Sequence, residues 1–158
     1  MRKRSGADPV NVAEILNIDR IVCGHRATSK KTALEQTAEL LGSAHQAVPA
    51  HSIADGLFAR ERLGSTGLGA GVAIPHTRSG NAATGAFVSL CDAVDYDAPD
   101  GAPVDLIFGL TVPEESTDEH LQILAELAET LSVASLREKL RRSTNPQEVL
   151  NILTGTDG

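Results

Sequence analysis

Apolar positions along the chain follow two different periods. In residues 28–45, TSKKTALEQTAELLGSAH, Leu34, Ala38 and Leu41 recur at helical spacing behind Thr28 or Ser29, either of which can cap a helix. Residues 51–64, HSIADGLFARERLG, repeat the pattern: Ser52 is the expected cap, Ile53, Leu57 and Phe58 form the apolar face, and Gly64 is the stop. A third helix is predicted across STDEHLQILAELAETLSV, with Leu121, Leu124, Ala128 and Leu131 on one stripe and Thr117 or Asp118 as cap. SLREKLRR predicts a shorter helix. NPQEVLNILTG is the best marked: Asn145 caps, Pro146 takes the first helical position, Glu148 closes a capping box and Gly155 ends it. NVAEILN predicts one more short helix.

Between these helices lie runs of another kind. AFVSLCD (86–92) and PVDLIFGLTVP (103–113) are nearly continuous in apolar residues, the pattern of strands covered on both faces. RIVC and GVAIP predict shorter extended segments. TRSGNAATG (77–85) reads as a surface loop and YDAPDGAP as a turn. Interleaved helices and doubly covered strands predict an α/β fold, a single mixed β-sheet flanked by helices on both faces. The expected organisation is one domain over residues 1–158, with residues 1–10 as a flexible tail.

Composition narrows the function. Apolar residues make up 41% and aromatic residues 3%, without Trp, so aliphatic side chains build the core and stacking platforms for nucleic-acid bases are lacking. A formal net charge of −7 disfavours nucleic acid and anionic membranes as partners. No export signal or membrane span is legible, which points to the cytoplasm. Cys23 and Cys91 belong to no metal-ligand pattern and read as free thiols, and no metal or cofactor is expected.

The candidate chemistry lies in GSTGLGAGVAIPH, from Gly64 to His76. A phosphate-binding Walker loop would need a lysine that is not there, and a dinucleotide fingerprint would need a strand before the glycines and a helix after them. Here the order is helix, glycines, extended run. Gly64, Gly67, Gly69 and Gly71 allow backbone N–H groups to approach an anion. Ser65 and Thr66 add hydroxyls, Arg60 adds a guanidinium, and His76 offers a nucleophilic ring nitrogen. These parts suit a histidine that accepts a phosphoryl group. They equally suit turn glycines beside a surface histidine, and the residue types alone leave both open.

The seventeen-residue stretch RERLGSTGLGAGVAIPH resembles the signature of the mannitol/fructose class of enzyme IIA domains of the bacterial phosphotransferase system. TSKKTALEQTAELL is similar to the nitrogen-related branch, and the segment through DEHLQILA is similar to the part of the family that carries a second histidine. The resemblance implies that His76 is the phosphoryl acceptor, through Nε2, with His120 and Arg60 as its active-site partners and the loop residues around the phosphoryl group. It implies a phosphohistidine carrier and nitrogen-related regulator, with an HPr-like phosphohistidine protein as donor and regulated targets such as kinases or transporters. A sugar-specific enzyme IIA serving a fructose- or mannitol-type IIB, and a non-catalytic binding module, are the alternatives. Two positions depart from the family pattern. Ala70 stands where many relatives have Asn, which would remove a donor near the site, and Thr77 stands where they have Gly.

Overall fold

The structure, a computed structural model, describes residues 12–44, 48–80, 82–115 and 118–155; of residues 118–121 it describes the backbone only. The chain runs α1 (Val12–Ile15), β1 (Leu16–His25), α2 (Lys30–Gly42), α3 (Ala50–Arg62), β2 (Gly67–Gly69), β3 (Val72–Ala73), β4 (His76–Arg78), β5 (Thr84–Val94), β6 (Val104–Val112), α4 (Asp118–Leu131), α5 (Ala134–Arg142) and α6 (Pro146–Thr154). The tail expected over residues 1–10 and the capping position Thr117 lie outside the described residues.

One mixed sheet organises the molecule, in the order β1-β5-β6-β3-β2, with β4 also paired to β6. β5 and β6 are antiparallel, while β1 runs parallel to β5, and β3 and β4 run parallel to β6. Alternation along β6 divides its side chains between two cores. Leu106, Phe108 and Leu110 face α4, α5 and α6, where they meet Leu127, Leu131, Leu140 and Val149. Ile107 faces α2 and α3, where it meets Leu34, Leu41, Ile53 and Leu57, and Val104 joins the same core because the alternation is interrupted at Asp105 and Leu106, whose N–H groups both donate to the Gly71 carbonyl. Both faces of the sheet are covered, as the two apolar runs predict, and this is the α/β sandwich.

On the second face, Gly109 lets α2 come close. A Cβ on Gly109 would lie 2.2 Å from Cγ2 of the buried Thr37, whose hydroxyl is turned back onto the Ala33 carbonyl at 2.8 Å. The helix caps follow local chemistry. Ser29 forms a capping box with Thr32, and Asn145 accepts from the Glu148 N–H at 3.0 Å while Gly155 closes α6 in the left-handed conformation. Glu148 departs from the reciprocal box: its carboxylate accepts from the Asn145 side-chain amide instead.

Three expectations need correction. α3 starts at Ala50, so Ser52 is not its cap; the extended Pro49 delivers its carbonyl to the Ser52 and Ile53 N–H groups. Of the stripe expected on α4, Leu131 is fully buried and Leu124 and Ala128 pack at the edge of the core, while the Leu121 side chain lies outside the described residues; Ile123 and Leu127 carry the rest of the buried face. The loop over residues 77–85 is shorter than its composition suggests, since Thr77 and Arg78 continue β4 along β6 and Ser79 donates its N–H to Val112.

Candidate functional site

The glycines of the motif build a β-hairpin. β2 pairs with β3, Gly67 opposite Ala73, and the two-residue turn between them is Ala70–Gly71. Both turn residues have positive φ, 57° and 83°, the handedness that matches strand twist in tight hairpins. The Gly71 carbonyl receives the Asp105 and Leu106 N–H groups, while His76 pairs with Leu110. Four residues of β6 separate these positions, about 13 Å at the usual strand rise. The structure therefore does not bring Gly69 and Gly71 to His76. They belong to the hairpin tip, which is fixed by Asp100 on the Ala70 N–H and by Arg141 on the Ala70 carbonyl and Asp105. Ala70 sits at this tip as well, so the departure from Asn removes nothing beside the histidine.

The base of the hairpin is the end that meets His76. The Ile74 N–H donates to the Thr66 carbonyl at 3.1 Å, and the Ile74 carbonyl lies 2.9 Å from Nδ1 of His76. A carbonyl only accepts, so Nδ1 carries the proton and Nε2 carries the lone pair. The ring is half-buried. Burial lowers its pKa most, and the positive charge of Arg60 lowers it further; the Ile74 carbonyl and the Glu61 carboxylate act the other way, and the net shift is downward. A neutral imidazole with a free Nε2 is a nucleophile near neutral pH.

Arg60 lies in the last turn of α3, where Nη1 donates to the Gly64 carbonyl at 2.8 Å. Gly64 thus fixes the guanidinium, whose charge acts on the His76 ring. Ser65 and Thr66 are at the hairpin base, but their hydroxyls are committed elsewhere. The Ser65 hydroxyl donates to the Tyr96 carbonyl and accepts from the Gly67 N–H. Thr66, 6% exposed, gives both its N–H and its hydroxyl to Glu61. Gly67 is small because a Cβ there would lie 2.8 Å from that of Ala98. His120 is in the first turn of α4, close behind the end of β6, and its side chain lies outside the described residues.

Sequence reasoning passed over Glu61, Lys30 and Tyr96. The Glu61 side chain is 6% exposed and accepts from Lys30 Nζ at 2.9 Å, from the Thr66 N–H at 3.1 Å, from the Thr66 hydroxyl and from the Tyr96 hydroxyl at 3.3 Å. Lys30 also reaches the Tyr96 carbonyl and stands 4.3 Å from its ring centre. Tyr96 is fully buried; burial, then the Glu61 charge, drives its hydroxyl far above the ordinary range. Glu61 inside the conspicuous motif, and Tyr96 as the single tyrosine of the chain, were the available signals. Thr77 has a plain packing role: its side chain fills the space over Gly56 of α3.

Among the described residues no helix is long and apolar enough to cross a membrane. Residues 14–155 match the family model described as phosphoenolpyruvate-dependent sugar phosphotransferase system, EIIA 2. A nitrogen regulatory protein of Pseudomonas aeruginosa is 40% identical over 146 residues, covering 91% of this chain and 95% of its own. A fructose-specific EIIA component from Haloferax volcanii is 30% identical over 148 residues, covering 92% and 96%. The crystal structure of the nitrogen regulatory protein IIA-Ntr from Neisseria meningitidis superposes with a TM-score of 0.86 at 46% identity, over 90% of this chain and 99% of that one. The chain belongs to the EIIA 2 family of the phosphoenolpyruvate-dependent sugar phosphotransferase system.

Proposed function

We propose that this protein is a cytoplasmic phosphocarrier that accepts a phosphoryl group on Nε2 of His76 from the phosphohistidine of an HPr-like protein and acts as a nitrogen-related regulator. The observation that carries this reading is the 2.9 Å contact between Nδ1 and the Ile74 carbonyl, which leaves Nε2 as the reactive nitrogen. In the transfer, the lone pair on Nε2 forms the new N–P bond as the donor's N–P bond breaks, and the donor imidazole leaves with the bonding pair. Positive character that develops on the His76 ring is stabilised by the carbonyl at Nδ1. The transition state is loose, so catalysis consists of in-line positioning and charge neutralisation. Arg60 leaves the Gly64 carbonyl to fork onto the phosphoryl oxygens. His120, in the first turn of α4, donates to one of those oxygens.

The added charge, about −1.5 to −2 near neutral pH, then alters which target proteins bind. Similarity to nitrogen regulatory proteins along nearly their whole length supports the regulatory branch. Similarity to the fructose-specific component supports a second reading, transfer onward to a IIB partner. Incubation with a phosphorylated HPr-like donor tests the first step: the expected product carries one phosphate at Nε2, and His76→Ala carries none. Label retained by the alanine variant would sink the proposal. Efficient transfer to a fructose- or mannitol-type IIB would favour the second reading.

A further inference from the structure

Glu61, in the last turn of α3 next to Arg60, has more partners than an ion pair needs. A carboxylate offers about four lone-pair sites, and here Lys30, the Thr66 N–H, the Thr66 hydroxyl and the Tyr96 hydroxyl all approach it. Three of these partners are tied to one another as well. Lys30 donates to the Tyr96 carbonyl at 3.2 Å, and the Thr66 and Tyr96 hydroxyls are 3.1 Å apart.

The knot fixes Thr66, and Thr66 is the residue on which the histidine's surroundings depend. Its carbonyl receives the Ile74 N–H, and the Ile74 carbonyl in turn holds Nδ1. The hairpin alone is a weak clamp for this purpose. Its strands are three and two residues long, and their register shifts between Gly67 and Gly69. On the far side Ile74 is followed by Pro75, whose carbonyl is bound by the Leu110 N–H at 3.0 Å. The Ile74 carbonyl is therefore placed from two sides, by β6 through Pro75 and by Glu61 through Thr66.

We infer that Glu61, held by Lys30 and Tyr96, is a positioning residue for His76: acting through Thr66, it sets the Ile74 carbonyl that keeps the proton on Nδ1 and the lone pair on Nε2. Its effect on phosphoryl transfer rests on the reading of His76 as acceptor. Its effect on the tautomer is a property of the unmodified protein.

The test is the side-chain nitrogen NMR spectrum of His76 together with phosphoryl transfer from a phosphorylated HPr-like donor. In the parent protein the Nδ1–H form should dominate. Glu61→Gln, with a single acceptor oxygen, and Thr66→Val should raise the Nε2–H fraction and slow transfer at saturating donor by about tenfold or more, with little change in KM; losing an orienting partner acts on that scale at other histidine centres. Thr66→Ser should restore both readouts. Asn145→Ala, which weakens the distant α6 cap, should leave the tautomer alone, separating positioning from general stability. Should Thr66→Val fail to fold, Tyr96→Phe carries the same expectation. A parent-like tautomer ratio in the folded variants overturns the inference, even if the parent protein is phosphorylated. A shifted ratio in a protein that the donor never phosphorylates upholds the inference and defeats the proposed function.

Discussion

Replacing Ala70 with Gly should stabilise the protein and leave His76 untouched. Ala70 has φ 57° at an exposed hairpin tip, with its N–H bound to Asp100 at 2.9 Å and its carbonyl to Arg141 at 2.7 Å. Neither bond uses the methyl group. An L-residue in this left-handed region costs roughly 1–2 kcal/mol relative to glycine. Against that, glycine gives the unfolded chain extra freedom of roughly 0.4–1 kcal/mol. The difference leaves about 0.5–1 kcal/mol of net stabilisation. For a chain of this size that raises Tm by about 1–4 °C. Ala70→Asn should act in the same direction, because Asn tolerates this conformation without glycine's entropy. Calorimetry or thermal denaturation reads the stability, and labelling by the phosphorylated donor reads the site. A lower Tm would refute the assignment of strain to Ala70. An altered labelling rate at full folding would refute the separation of the hairpin tip from His76.

Other expectations follow from close contacts and from the histidine's surroundings. Gly109→Ala forces a Cβ to within 2.2 Å of Thr37 Cγ2 and should cost roughly 1–3 kcal/mol in chemical denaturation, with Thr37→Ser recovering part of it. Gly56→Ala meets the Thr77 hydroxyl at 2.4 Å; the same assay should show destabilisation that Thr77→Gly relieves, and additive effects would contradict the contact. His76 should titrate below its ordinary value near 6.5, because burial and Arg60 outweigh the Ile74 carbonyl and Glu61. Between the folded pKa and about 6.5 the unfolded chain binds more protons. Stability from this group is thus present above that window and falls as the pH drops through it. Phosphoryl acceptance should fall with the neutral ring, and an NMR midpoint above 6.5 would contradict the stated environment.

The sequence by itself determined whatever depends on neighbours a few residues apart. Ser29 and Asn145 announce their helices because a cap bonds an N–H three residues on. The two apolar runs announce β5 and β6, and their lack of alternation announces cover on both faces. The motif from Arg60 to His76 was legible for the same reason, as one unbroken stretch. Tertiary structure alone decided what the motif's parts do. Glycines that read as an anion cradle became a hairpin because β6 offers an edge for β3, thirty-four residues away in sequence. The hydroxyls of Ser65 and Thr66 turned away from the histidine because Tyr96, some thirty residues on, folds in beneath them with its carbonyl and its phenol. The choice of tautomer at His76 also belongs to the fold. A histidine in a sequence has two equivalent ring nitrogens, and only a carbonyl held in place beside one of them leaves the lone pair on the other.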